Sequence, residues 1–304
     1  MLRFIVRRLL VTVPMVLIVV SLTWGLIRLA PGNFYTGEKP IPPAIEKNLR
    51  EKYGLNRPWY VQYGKMISNT VHGDFGASLK YQGQPVNAIL RNALPVSATI
   101  GSLAYLLALI VGVVAGVLAA LRQNSGLDYG SMALAMIGIS LPNFVLGPVL
   151  VLVLSLTWYV FPPALWGGFS HLILPVLTLS GLYMAYIARL TRSGMLEVLR
   201  SNYIRTARAK GLSEWHVITR HALRGGLLPV VSFSGPALAF LITGTVVVER
   251  IFALPGLGNY FINANLNRAE PLIIGIVAFI SIAVLIFNLL VDIAYGFIDP
   301  RIRY

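Results

Sequence analysis

The chain contains no cysteine, and only 12% of its 304 residues are Asp, Glu, Lys or Arg. Without cysteine, disulfides and thiolate metal sites are excluded. The charged fraction is about half that of an ordinary soluble domain. No G-x-x-x-x-G-K-[ST] run occurs, so the chain cannot cradle a nucleotide through a P-loop of its own. H-E-x-x-H is also absent, and none of His72, His171, His216 and His221 has a carboxylate at metal-ligand spacing. No metal and no cofactor is therefore expected. A membrane-embedded enzyme, such as a lipid-modifying transferase, would need an acid/base or metal constellation that is not visible here.

What the chain has in excess is apolar side chains, 56% of the total. They fall in long runs rather than in short alternating strands, which predicts an all-α integral membrane fold. Six spans are read at approximately 9–29, 94–121, 130–158, 172–191, 227–248 and 272–294. Pro14, Pro95, Pro142, Pro148, Pro175 and Pro236 lie within them, which bilayer helices tolerate because neighbouring helices satisfy the freed backbone groups. Pro142 and Pro148 are expected to kink or break the third span. WYVFPPALWGGF (158–169) reads as an interfacial loop with an aromatic belt. The first apolar run, Leu9 to Ile27, is too long for a signal-peptide core and no A-x-A site follows, so it is expected to remain as a first helix.

The net charge is +14 and the pI about 10.2, values that also suit a nucleic-acid binder. Placement of the charges argues against that partner. Arg3, Arg7 and Arg8 precede the first span and Arg122 follows the second. Arg189, Arg192, Arg200, Arg205, Arg208, Lys210, Arg220 and Arg224 crowd after the fourth, and Arg301 and Arg303 end the chain. The opposite loop, 249–271, holds Arg250 and Arg268 balanced by Glu249 and Glu270. This asymmetry is what insertion into a bilayer produces, and it predicts cytoplasmic N- and C-termini. The domain reading is residues 1–30 as first segment and span, 31–93 as a small outer subdomain with short helices at 44–53 and 58–71, 94–298 as a five-helix core with a cytoplasmic loop at 192–225, and 299–304 as a tail.

The stretch NYIRTARAKGLSEWHVITRHALR (202–224) is polar amid this apolar chain. Leu196, Leu199, Tyr203 and Ala207 follow helical spacing, so the fourth span is expected to run on into it. Gly211 suits a left-handed helix end, and Ser213 suits the cap of a second helix whose apolar face is Trp215, Ile218 and Ala222. One reading of this hairpin is an interfacial connector. The other is a docking knob, its corner of Ala207, Ala209 and Gly211 admitting a partner's backbone.

NYIRTARAKGL…HALR resembles the EAA loop of bacterial ABC-importer permeases in the form of the peptide and nickel branch. Gly211 and Ala207 match the general pattern, while Arg205 and Thr206 stand where it has Glu and Ala, and His221 and Arg224 where it has Ile and Pro. RLAPG (28–32), HGDFGASLKY (72–81), VVERIFALPGLG (247–258) and DPRIRY (299–304) extend the likeness over the whole length, closest to the B-type permease of oligopeptide importers. The resemblance implies a type I, MetI-like permease in the bacterial inner membrane. It implies as partners a homologous second permease, two cytoplasmic ATPase subunits, a periplasmic or lipid-anchored peptide-binding protein and the lipid bilayer. It assigns the ATPase-coupling contact to Arg205, Thr206, Ala207, Arg208, Ala209, Lys210, Gly211 and Leu212.

Other residues carry open alternatives. Asp74, Glu249 and Arg250 are candidates for contact with the binding protein or the pathway, although Glu249 and Arg250 also read as an ordinary helix-end pair. Asp292, one turn after Asn288, is an acid inside a span and so a functional candidate, or else a hydrogen-bonding group between helices. Gly112 and Gly116 form G-x-x-x-G, which serves close packing within the chain or a heterodimer interface. Arg28 is expected to snorkel to the outer interface. A self-sufficient secondary transporter would show inverted repeats and buried coupling charges, and neither stands out.

Overall fold

A computed structural model describes residues 2–30, 47–48, 51, 54–81, 83–243 and 246–298. Described elements are helical, with one isolated bridge between Ala77 and Pro85. Five helices are long and apolar enough to cross a membrane, or up to six if one bent pair is counted as a span. The tail 299–304 and most of the helix expected at 44–53 lie outside the described residues, of which Lys47, Asn48 and Glu51 are helical.

The chain divides into two compact units, Met1–Val96 with Pro255–Leu285, and Ser97–Leu254 with Ile286–Tyr304. In the first, α1 (Leu2–Leu29) packs against α2 (Trp59–His72). The contact is built on Val16, Val20, Trp24 and Met66. The Trp24 and Tyr63 rings lie 5.4 Å apart, and Ser21 Oγ and Tyr63 Oη are hydrogen-bonded at 2.9 Å. Arg28 does not reach outward alone. Its guanidinium sits 5.0 Å over the Trp24 ring, donates to Gln62 Oε1 at 2.6 Å and pairs with Glu270 at 3.1 Å. A carboxylate, an amide and an aromatic face within reach hold the cation better than free snorkelling does.

The HGDFGASLKY segment is a stapled loop. Asp74 Oδ1 accepts the Gly76 N–H at 3.0 Å, and Asn87 accepts the Phe75 N–H at 3.0 Å while donating to the Gly73 carbonyl at 2.6 Å. Lys80 donates to Asn267 Oδ1 at 2.8 Å, and Phe75 packs beside Val86, Ile89 and Leu272. These bonds satisfy backbone groups that no helix or sheet would otherwise pair.

The second unit holds most of α3 (Val86–Leu121), α4 (Gly126–Ser140), α5 (Asn143–Thr157, π-helical from Val151), α6 (Phe169–Leu199), α7 (Asn202–Ala209), α8 (residues 214–226), α9 (Leu228–Ile242) and α10 (Val246–Ile251). The remaining helices are α11 (Leu257–Leu266) and α12 (Glu270–Ile298). The expected third span is broken: α4 and α5 meet at 103°. Pro142 explains the break. Its ring drives Leu141 out of helical conformation, to ψ 110, and it then serves as N-cap of α5.

Gly112 and Gly116 act within the chain. A Cβ on Gly112 would stand 2.8 Å from the Met184 carbonyl, and one on Gly116 would stand 2.5 Å from the Ala188 carbonyl. α3 and α6 therefore pack backbone against backbone, the use such spacing has in membrane helices.

Candidate functional site

The hairpin of α7 and α8 stands on an apolar footing. Ile204, Ala207, Val217 and Ala222 are buried with Ala120 of α3 and Met195 of α6. Each large side chain there contributes about 1.5–3 kcal/mol when fully removed from water. The helix of the fourth span does not run on as expected: α6 ends at Leu199, and α7 starts after Ser201, whose backbone is extended. This break turns Ile204 and Ala207 into the core. The apolar face of α8 also differs from the expectation. Val217, with Ile218 and Ala222, faces the core, while Trp215 stands 75% exposed. A π-helical stretch over Val217–Ala222 shifts the register and releases Trp215.

The corner has a defined geometry. Gly211 has φ 78°. Its N–H donates to the Arg208 carbonyl at 2.9 Å, and the Leu212 N–H donates to the Ala207 carbonyl at 3.4 Å. This is a Schellman end, with glycine in the left-handed position. The Arg208 guanidinium then bridges the corner to Glu214, with Nε to Oε1 at 2.7 Å and Nη2 to Oε2 at 3.2 Å. That bidentate pair holds the Glu214 carboxyl below its ordinary value, mainly through the hydrogen bonds from Arg208. Ser213 occupies the N-cap position of α8 but makes no side-chain cap bond.

Of the residues expected to couple, Arg205, Thr206, Arg208, Ala209, Lys210, Gly211 and Leu212 are exposed together on this knob, and Ala207 is buried beneath it. Tyr203, Trp215 and His216 share the exposed surface. The other candidates lie apart. Asp74 is exposed and closes the turn described above. Glu249 is 3% exposed and accepts from Ser97 Oγ at 2.6 Å, with Arg250 exposed beside it. Asn288 and Asp292 are half-buried on α12, where Asn288 Oδ1 lies 3.1 Å from the place a Cβ of Gly235 would take.

One constellation escaped the reading of the sequence. Asp128, 2% exposed in the first turn of α4, accepts both Nε and Nη2 of Arg192 on α6, at 2.5 and 2.7 Å. The Asn124 N–H adds a third bond at 3.0 Å. Ser125 caps α4 three residues ahead of Asp128, so S-x-x-D was the available signal. Among the described residues no group of three or more His, Asp or Glu is placed to hold a metal ion.

Five to six helices long and apolar enough to cross a membrane, with an exposed polar hairpin on an apolar footing, together describe a multi-pass membrane subunit. Comparison with known proteins narrows this class. Residues 112–304 match the family of binding-protein-dependent transport system inner membrane components, and residues 1–100 match the N-terminal part of such components. The chain belongs to that family. It is 45% identical over 306 residues to the oligopeptide transport system permease protein OppB of Haemophilus influenzae and 46% identical to that of Salmonella typhimurium, with 100% of each chain covered. It is 42% identical to the dipeptide transport system permease protein DppB of Bacillus subtilis, covering 100% of this chain and 98% of the other. Among solved structures, the MetNI methionine ABC transporter in inward-facing form matches with a TM-score of 0.60 at 16% identity, covering 72% of this chain and 100% of that one. The fold is thus that of type I ABC-importer permeases, and the chain is a transport permease subunit, not an enzyme.

Proposed function

We propose that the chain forms, together with a homologous permease, the route by which an ATP-driven importer passes oligopeptides delivered by a binding protein. The observation that carries this reading is the full-length identity to oligopeptide permeases, 45–46%, joined to the exposed hairpin knob. A chain without a P-loop needs an ATPase from elsewhere, and the knob offers a rigid surface on which one can dock. Two ATPase subunits sit below the membrane in this scheme, on the side of the hairpin and both termini, and the binding protein sits above. The outer subdomain is residues 31–93 and the permease core residues 94–298. Closure of the ATPase pair pulls the knob, and the apolar footing transmits that pull to α3 and α6.

The dipeptide permease at 42% identity supports a second substrate reading, shorter peptides by the same route. Peptides of graded length separate the two. The complex is assembled in lipid nanodiscs with the ATPases and binding protein encoded beside it, and its ATPase rate is measured with and without peptide-loaded binding protein. Stimulation that is greatest with longer peptides supports the oligopeptide reading, and stimulation greatest with dipeptides replaces it. Absence of any stimulation or any co-purifying ATPase overturns the importer reading.

A further inference from the structure

Exposed faces of the long helices are of two kinds. From Leu106 to Leu118 on α3, and at Ile282, Ile286 and Leu290 on α12, every exposed side chain is apolar, as lipid contact requires. α6 is different. No residue from Leu172 to Ala185 is exposed, and then Tyr186, Arg189, Ser193 and Glu197 are, at three- and four-residue steps that place them on one stripe. Beside this stripe runs a face of α9. The Phe233 ring lies 5.7 Å from Tyr186 and 6.1 Å from Tyr183. Neighbouring Ser232 is exposed, followed by Pro236 and Phe240 at four-residue steps. Tyr186 and Ser232 place hydroxyls on outward faces within spans, where such groups turn towards cavities rather than lipid, and Arg189 and Ser193 continue the same stripe to the basic end of α6.

We propose that the Tyr186–Arg189–Ser193 stripe, with Ser232 and Phe233 of α9, lines the water-filled path of the permeating peptide. This rests on the importer reading. The surface suits an extended peptide chain: its hydroxyls meet backbone amides, its aromatic rings accept side chains of any kind, and Arg189 draws the terminal carboxylate. Ser232 Oγ donates to the Leu228 carbonyl at 3.1 Å and keeps its lone pairs for a passing N–H.

A chain with no native cysteine permits a direct test. Tyr186→Cys, Ser232→Cys and the control Ile110→Cys are placed one at a time in the assembled complex and treated with a charged, membrane-impermeant methanethiosulfonate. The reactive thiolate forms in water and is suppressed in apolar surroundings, so a path-lining position reacts about tenfold or more faster than the control. The expected result is fast reaction at Tyr186→Cys and Ser232→Cys, slowed by a transported peptide. Slow reaction at both, whether lipid or the second permease covers them, overturns the assignment. So does fast reaction that no transported peptide slows. Peptide-stimulated ATPase activity, read on the same preparations, separates the two proposals. Stimulation without labelling removes only the path-lining assignment, whereas labelling without stimulation removes the importer reading and leaves a water-filled crevice.

Discussion

At the residue scale the corner glycine and its ion pair behave differently from what spacing alone suggests. A side chain at Gly211 would meet nothing within 4 Å, so crowding is not the obstacle; the φ of +78° is. A β-branched residue there costs about 1–2 kcal/mol in backbone conformation alone. Gly211→Val is expected to insert normally yet lose ATPase co-purification, while Gly211→Asn, whose side chain tolerates the left-handed region, retains it. Equal co-purification by both variants and wild type would refute the role of the corner. The Arg208–Glu214 pair adds a pH dependence of known sign. Glu214 is lowered in the folded hairpin, so the pair contributes at pH values above the ordinary Glu range and is lost as pH falls through the lowered folded value. Hydrogen exchange at the Leu212 amide is expected to speed up as pH falls below the ordinary Glu range, after allowance for intrinsic rates. In Glu214→Gln it should be fast already at pH 7. Of this arrangement, Gly211 was legible because few residues stop a helix with φ above zero. The ion pair was not, because six residues of separation along the chain become adjacency only once the turn is made.

At the scale of elements, the number and place of the spans were legible because bilayer helices need about 20 apolar residues in a row. Their interruptions were less so. Pro142 announced the break between α4 and α5, but the stop at Arg200 has no such marker, and the π-helical register of α8 misplaced Trp215. Contacts between helices were legible only at G-x-x-x-G. A leucine at Gly116 is expected to force α3 and α6 apart, since a bare Cβ already stands 2.5 Å from the Ala188 carbonyl. The checking measurement is thermal unfolding of the solubilised complex, with a large loss at Gly116→Leu and little change at Ala115→Leu, whose position is partly exposed. The Asp128–Arg192 pair yields a second expectation. Removing one member of a fully buried pair costs about 3–5 kcal/mol because the other charge is stranded, and less here because the Arg192 side chain is 26% exposed. Asp128→Asn should therefore destabilise measurably, and Asp128→Asn with Arg192→Met should recover much of the loss. A double variant as unstable as the single one would show that the helices need the charges themselves.

For the whole molecule, orientation is the property that sequence addresses most directly, since it depends on where basic residues fall along the chain rather than on which side chains touch. Residues 189–224 are far richer in Lys and Arg than 249–271, an asymmetry that predicts the inner side for the former. The structure adds that Arg205 and Lys210 are exposed on a hairpin whose core is anchored to α3 and α6. Both are consequently open to trypsin from whichever side the hairpin occupies. In inside-out vesicles trypsin is expected to cut at Arg205 or Lys210 and release fragments ending in the hairpin, while intact spheroplasts protect it. If the proposed docking holds, bound ATPase shields the same bonds in inside-out vesicles until it is stripped off, because the proposed docking surface carries the cleaved bonds. Cleavage in spheroplasts would reverse the orientation and place the ATPase-facing surface on the wrong side of the membrane for ATP, ending the coupling assignment whatever the family resemblance.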